Sequence, residues 1–261
     1  MQASIAIDDK NLAQQYLLRL ADTCLILGQR LGEWTGHAPV LEEDIALANM
    51  ALDLIGQARA LLTHAGRSLG HDEDQLAFLR DERDYRNPTL VELPGGPKVG
   101  DFAFTVLRNL LVSTWLKLLW QRLAASSSDA ELAAIAGKAV KEARYHQQHA
   151  ADWVVRLGDG TPESQRRCKA ALAEIWRYTP ELFDDDAVDA AAQASGLGPA
   201  WSELKTPWLA EVGNVLAEAT LAVPAASAFR STGKHGVHSE HMGFMLAEMQ
   251  QLQRSFPGGV W

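Results

Sequence analysis

The sequence predicts an all-α fold, on three observations. Apolar residues recur at alternating spacings of three and four over long stretches, no segment shows the strict alternation of a strand, and breakers and capping residues fall between the periodic stretches. The first helix follows from Leu17, Leu20, Cys24, Leu27, Leu31 and Trp34, which lie on one face at 3.6 residues per turn. Gly36 and Pro39 end it, and Leu41, Ile45, Ala48, Leu52, Ile55, Arg59 and Leu62 trace a second helix of the same period. The short turn between them makes the pair antiparallel.

A polar region, residues 70–100, comes next. It contains a short apolar piece at 76–79, the charged run Arg80-Asp81-Glu82-Arg83-Asp84-Tyr85-Arg86-Asn87 and a loop, Pro94-Gly95-Gly96-Pro97. Irregular connections of this length inside a compact domain are more often functional than incidental. Residues 102–123 and 130–157 supply the third and fourth long helices, separated by the cap signal Ser126-Ser127-Ser128-Asp129. Further helices are expected at 163–178, within 185–194, at 199–221 and at 237–254, the last with Met242, Met245, Met249, Leu252 and Phe256 as its apolar stripe. Four long helices with one long crossover match a ferritin-like bundle. The expectation is one domain over residues 1–261, with 1–11 as a flexible N-terminus.

Hydrophobic residues make up 47% of the 261 residues and charged ones 22%, an ordinary globular balance. The formal net charge of -9 argues against general nucleic-acid binding, which needs a basic surface to displace phosphate counterions. Cys24 and Cys168 are far apart, without paired spacing, and are expected as reduced, buried thiols in a cytoplasmic protein. Residues 1–10 carry Asp8 and Asp9 and lack the basic start and apolar core of a signal peptide. The most apolar stretch, 107–119, holds Arg108, Asn109 and Lys117 and is too short for a bilayer, so no membrane partner is expected.

Bundles of this class that hold two metal ions use Glu-x-x-His on two inner helices and a Glu on each of two more. Here the residue three before His146 is Ala143, and no His in the chain has Glu or Asp at that position. The third helix contains no Asp or Glu at all. On the first, Asp22 and Glu33 each sit two residues past a core position, placing them near the opposite face. On the second, Asp53 lies beside the expected core residue Leu52, and Gln57 follows at four. On the fourth, Glu142, His146 and His149 share one face. The reading is a degenerate bundle centre, Asp53, Gln57, Glu142, Tyr145 and His146, with Arg144 in the same polar cluster and no metal in this chain. The alternative is an autonomous ferritin-like metalloenzyme with a single metal on Glu142, His146 and His149.

His235, His238 and His241 form a second candidate metal set, but steps of three spread the outer rings by about 120° around a helix. The expectation there is a helix N-terminus with surface and interface contacts. Cys168, between Arg167 and Lys169, reads as flanked by solvated charge rather than as a nucleophile. In the charged run, Arg83 and Arg86 around Tyr85 could grip phosphate and stack on an adenine; equally, the run reads as a loop lacing Arg80 to Asp81, Glu82 and Asp84. Trp201, Trp208 and Trp261 are candidate interface aromatics.

Several stretches in order carry a family resemblance: Gln29-Arg30-Leu31-Gly32-Glu33-Trp34 with Gly36-His37-Ala38-Pro39, Asp53-Leu54-Ile55-Gly56-Gln57-Ala58-Arg59, Leu76-Ala77-Phe78 before Arg80-Asp81-Glu82-Arg83, Lys141 through His146, Trp176-Arg177-Tyr178, Leu182-Phe183-Asp184, Glu218-Ala219-Thr220-Leu221 and Leu246-Ala247-Glu248-Met249-Gln250. With these the chain resembles the C subunits of the bacterial ring 1,2-phenylacetyl-CoA epoxidases over nearly its whole length. The resemblance implies a ferritin-like fold without its di-iron site, and a structural role beside a related catalytic subunit. That subunit keeps the di-iron centre, takes electrons from a reductase and oxygenates the ring of phenylacetyl-CoA. It further implies that this chain borders the CoA part of the substrate at Arg83, Asp84, Tyr85, Arg86 and Asn87, and at Ala191, Ala192 and Gln193. The last three are small or neutral, so only backbone or shape contacts are expected of them.

Overall fold

The computed structural model describes residues 4–5, 11–95 and 101–259. Its α-helices are α1 (Leu12–Gly32), α2 (Leu41–Leu69), α3 (Glu73–Phe78), α4 (Thr89–Glu92), α5 (Phe102–Ser126), α6 (Ala130–Gly158), α7 (Pro162–Ile175), α8 (Ala187–Ser195), α9 (Lys205–Glu218) and α10 (Glu240–Ser255). There is no strand among the described residues, as the all-α expectation requires. The flexible N-terminus expected over 1–11, Gly96 and Pro97 of the expected loop, and Trp261 fall largely or wholly outside the described residues.

Two antiparallel hairpins, α1 with α2 and α5 with α6, make the bundle, and α3 and α4 lie in the crossover between them. Every residue of the expected first stripe, Leu17 through Trp34, is buried. So is nearly all of α1, since neighbours surround it, and Asp22 goes inside with the rest. The reading of Asp22 as near the opposite, open face was therefore wrong.

The second stripe was also out of phase. Leu41, Ile45 and Leu52 face solvent, whereas Leu47, Met50, Leu54, Ala58 and Leu61 enter the core. Apolar residues occupy two faces of α2, and periodicity alone does not say which one has neighbours.

Helix ends follow local chemistry. Gly70 closes α2 in the left-handed conformation (φ 72°), which a Cβ would disfavour. Asp129 caps α6, accepting from the amides of Glu131 and Leu132 at 2.9 and 3.0 Å. Asp129→Ala is expected to cost about 1 kcal/mol in urea unfolding. α7 is shorter than expected because a 3-10 segment, Trp176–Leu182, takes over at its end, with Pro180 inside it. α9 is preceded by a short 3-10 turn, Trp201–Leu204.

Two helices, α2 and α5, are long and apolar enough by composition to cross a membrane. The 107–119 stretch is thus part of a longer apolar helix than its sequence reading allowed. Burial accounts for the character of α5, since 83% of its apolar window lies inside the bundle. Trp201 and Trp208, expected at an interface, are fully buried: Trp201 packs edge-on against Trp115 at 4.7 Å, and Trp208 donates its indole N–H to the Leu111 carbonyl at 2.8 Å. On α10, Met242 and Met245 are buried as expected, but Leu252 and Phe256 are exposed.

Candidate functional site

The residues expected at the bundle centre lie mostly on α2 and α6, so the polar contacts between these two helices decide what the interior can do. The helices run antiparallel and join side chain to side chain. His149 Nε2 lies 2.7 Å from Glu43 Oε2, His146 Nε2 lies 3.0 Å from Asp53 Oδ2, and Gln57 Nε2 donates to Glu142 Oε2 at 2.8 Å. Below Gln57, the Cys24 thiol of α1 donates to its Oε1 at 3.5 Å. Burial pushes the Cys24 thiol far above its ordinary pKa, so it stays protonated and unreactive.

His146 is 4% exposed. Burial holds its pKa below the ordinary imidazole value, and the hydrogen bond and charge of Asp53 only partly oppose this. Neutral His146 is therefore the folded form near neutral pH. Its contribution to stability is present above pH 6.5 and is lost as the pH falls below that value toward the depressed pKa.

These residues do not fit a di-iron set. At this level α1 offers a protonated thiol, α2 an amide and a half-exposed carboxylate, α6 one carboxylate and one imidazole, and α5 no acid. Glu142, His146 and His149 do share the side of α6 that faces α2, but each engages a different α2 residue. Among the described residues no three His, Cys, Asp or Glu side chains come together as a metal site. Of the expected polar cluster, Arg144 and Tyr145 stand outside it: both are exposed, and Tyr145 only borders the His146 and His149 rings at 6.2 Å.

The charged connection is not a solvated loop. Arg80 and Asp22 are both fully buried and form a two-pronged ion pair, with Arg80 Nη1 to Asp22 Oδ2 at 3.0 Å and Nη2 on Oδ1. The lacing of Arg80 to the side chains of Asp81, Glu82 and Asp84 is thereby corrected; of these it meets only the Asp84 carbonyl. The Tyr85 ring lies 4.3 Å from the Arg80 guanidinium carbon, and its hydroxyl accepts from Gln250 Nε2 at 2.9 Å. Burial raises the Tyr85 pKa to about 12. A ring sealed in this way has no face left for an adenine, which removes the stacking role.

The other residues of the run divide by exposure. Asn87 is buried against Glu92, and Arg86 is mostly buried, with Nε on Gln15 Oε1 at 2.9 Å. Arg83 is exposed and Asp84 half-buried. Of the other expected contacts, Ala191 is half-buried, Ala192 buried and Gln193 exposed, bonded to Glu203 at 2.7 Å. A cavity of about 270 Å³ is lined by Gln15, Arg19, Arg86, Lys234, His235 and residues 186–188 at the start of α8; it takes in Arg86 of the run but none of Ala191, Ala192 and Gln193.

The histidine series is split by its backbone. His235 ends a 3-10 turn, His238 lies in the following link, and His241 enters α10. Gly236 (φ 75°) lets that link close on the connection; a Cβ there would come within 2.2 Å of the Arg83 carbonyl oxygen. His238 is not at the surface as expected: its side chain is fully buried, with Nδ1 2.7 Å from Glu92 Oε2 and Nε2 3.1 Å from the Tyr85 carbonyl oxygen. Sequence reasoning missed Glu92, Glu181, Arg19 and Asp189, all buried and charged. The capping-box spacing of Asp186 and Asp189 was a legible signal for the start of α8; nothing local marks the others.

A four-helix bundle with one long crossover, whose metal-level positions hold one-to-one polar pairs, defines a ferritin-like protein. The chain belongs to the family described as phenylacetic acid catabolic protein, whose model matches residues 2–261. It is similar to the C subunit of 1,2-phenylacetyl-CoA epoxidase from Escherichia coli (strain K12), at 50% identity over 247 residues, covering 94% of this chain and 98% of that one.

Proposed function

We propose that this chain is the structural subunit of a multicomponent phenylacetyl-CoA epoxidase in aerobic phenylacetate degradation, acting in the cytoplasm. It binds and stabilises the catalytic di-iron subunit, borders the CoA part of the substrate and holds no metal of its own. Electrons reach the partner from a separate reductase. The observation that carries the reading is the α2–α6 seam: where an oxygen-activating bundle would present convergent carboxylates, this one presents Asp53–His146 and Gln57–Glu142 pairs. Its similarity along almost the whole chain to a protein named as the C subunit of such an epoxidase supports the rest.

For the CoA contact, burial narrows the candidates. Tyr85 and Asn87 serve the interior, so Arg83 and Asp84, with the open side of the cavity beside Arg86 and α8, are the groups that could meet a phosphate or pantetheine chain. Ala191, Ala192 and Gln193 offer at most shape and one amide.

Co-expressed with the catalytic subunit, this chain should co-purify at fixed ratio. Alone it should oxidise nothing and keep no stoichiometric iron after chelation. Retention of about one iron per chain would instead support the autonomous metalloenzyme, and about two per chain would overturn the metal-free reading outright. Arg83→Ala in the assembled complex should raise KM for phenylacetyl-CoA roughly fivefold with kcat unchanged, as for one exposed ion pair of about 1 kcal/mol. An unchanged KM would remove Arg83 from the contact and leave the subunit assignment standing.

A further inference from the structure

A cleft of about 840 Å³ opens where the start of α10 meets α7 and the first turn of α5, a size that suits a small organic ligand. Part of its wall is apolar, contributed by Leu93, Phe104, Ala171 and Tyr178. None of the residues proposed to border CoA lines it.

Two side chains at the cleft leave polar atoms without a partner. α10 begins there, and its N-cap residue Ser239 makes no side-chain capping bond: the hydroxyl is buried and, among the described residues, unpartnered. The 16-residue helix therefore presents the positive end of its dipole, about half a charge, without its own cap. Behind Leu93 and Phe104 lies Arg108, 0% exposed, with Nη1 donating to the Leu93 carbonyl at 2.6 Å and its guanidinium carbon 6.0 Å from the Phe104 ring centre. Its Nε and Nη2 have no partner among the described residues. Burial, reinforced by the charge of Arg30, pulls the Arg108 pKa down to about 9, so the side chain is still a cation at neutral pH.

The other charges nearby are accounted for. Arg30 pairs with Glu33, Arg166 and Arg167 with Glu163, and Glu92, bonded to the Ser239 amide, with His238. Asp101 caps α5, accepting from the Phe104 amide at 2.9 Å. Glu174 and Glu240 stand in solvent at the rim, Glu240 84% exposed. Arg177, also on the wall, is in no ion pair among the described residues; it lies against the Tyr178 and Phe229 rings at 5.0 and 4.7 Å, contacts that place its guanidinium without neutralising it. A buried charge without a counter-ion is strongly unfavourable, and an anion beside it relieves that penalty. The unpaired buried cation, the uncapped helix start and Arg177 together suit one negative charge. A dianion such as phosphate would meet more repulsion from Asp101, Glu174 and Glu240.

We propose that this cleft binds a small organic monocarboxylate, with its apolar body against Phe104, Ala171 and Tyr178 and its carboxylate at the start of α10, facing Arg177 and within the field of Arg108. The inference goes beyond the accessory role, and a CoA thioester, whose carboxyl group is masked, is not the ligand. Isothermal titration calorimetry of the full chain, with phenylacetate as the probe, tests it. Saturable binding with a Kd below about 1 mM is expected, and the neutral isostere phenylacetamide should bind at least about tenfold more weakly. Arg177→Gln, a change at an exposed side chain, should weaken phenylacetate binding about fivefold, and Arg108→Met at least about tenfold. Circular dichroism checks that each variant is folded; should Arg108→Met misfold, Arg177→Gln and Ser239→Ala carry the test, the latter with a loss of about threefold. No saturable binding up to about 10 mM overturns the proposal, as does equal affinity for the amide, affinity unchanged in the folded variants, or a response to inorganic phosphate alone. Displacement of phenylacetate by phenylacetyl-CoA overturns it too, by placing the probe on the CoA contact. Any of these failures leaves co-purification with the catalytic subunit, and so the subunit reading, untouched.

Discussion

Asp22→Ala is expected to lower the free energy of unfolding by about 3–5 kcal/mol, the largest effect expected of any single substitution in this chain, because it strands a fully buried guanidinium. Asp22 accepts from both terminal nitrogens of Arg80 and from the backbone N–H of Arg86 at 2.8 Å, and both charged side chains are 0% exposed. Burial alone would depress the Arg80 pKa, but the charge and hydrogen bonds of Asp22 outweigh it and the net shift is upward. Arg80 also holds the Leu76 carbonyl and covers the Tyr85 ring, so its loss of a counter-ion loosens α3 and the whole connection. Urea unfolding followed by circular dichroism reads the change, with the slope checked for constancy. The paired replacement Asp22→Leu with Arg80→Met should recover most of the loss, since an apolar pair of similar volume removes both desolvation penalties. If Asp22→Ala costs under about 1 kcal/mol, water reaches the pair and it behaves as a surface salt bridge.

The second large effect is at His238 and Glu92. Glu92 is 0% exposed and takes three contacts: the His238 imidazole at 2.7 Å, the Asn87 amide at 3.0 Å and the Ser239 backbone N–H at 2.5 Å. Glu92→Ala leaves these donors buried without an acceptor and should cost about 3 kcal/mol near pH 6, releasing the link that leads into α10. The pH dependence is specific. Burial pulls the His238 pKa down, yet the Glu92 hydrogen bond and charge, helped by the Tyr85 carbonyl, carry it above 6.5. A group raised in the folded state stabilises fully below its unfolded value and loses that contribution as pH rises through the folded one. The stability gap between wild type and His238→Gln should therefore be widest below pH 6.5 and shrink above it. His146 contributes with the opposite sign, so the subtraction must be made residue by residue. An imidazole Hε1 resonance of His238 titrating below pH 6.5 would contradict this assignment.

The four long helices were readable because a 3.6-residue apolar period and capping residues are local properties. Asp129 starts α6 where the cap signal stands, and Gly36 with Pro39 breaks the first hairpin where expected. The lack of any Glu-x-x-His was equally plain from spacing. The charged run 80–87 was not, because its character depends on Asp22, 58 residues away, and on Gln250, 165 residues from Tyr85. Read alone, Arg-Asp-Glu-Arg-Asp is what a solvated loop looks like.

By itself, then, the sequence determined that this chain is a helical bundle, where its four long helices lie, and that the Glu-x-x-His spacing of a metal-binding bundle is missing. Tertiary structure alone decided which of two apolar faces of α2 turns inward, that Asp22 and Arg80 meet inside the core, and that His238 is locked to Glu92 while Tyr145 is left outside. The physical reason is range. Periodicity and capping are set by hydrogen bonds and dihedrals over a few residues, whereas burial of a face or pairing of a charge depends on neighbours that only the folded chain brings together.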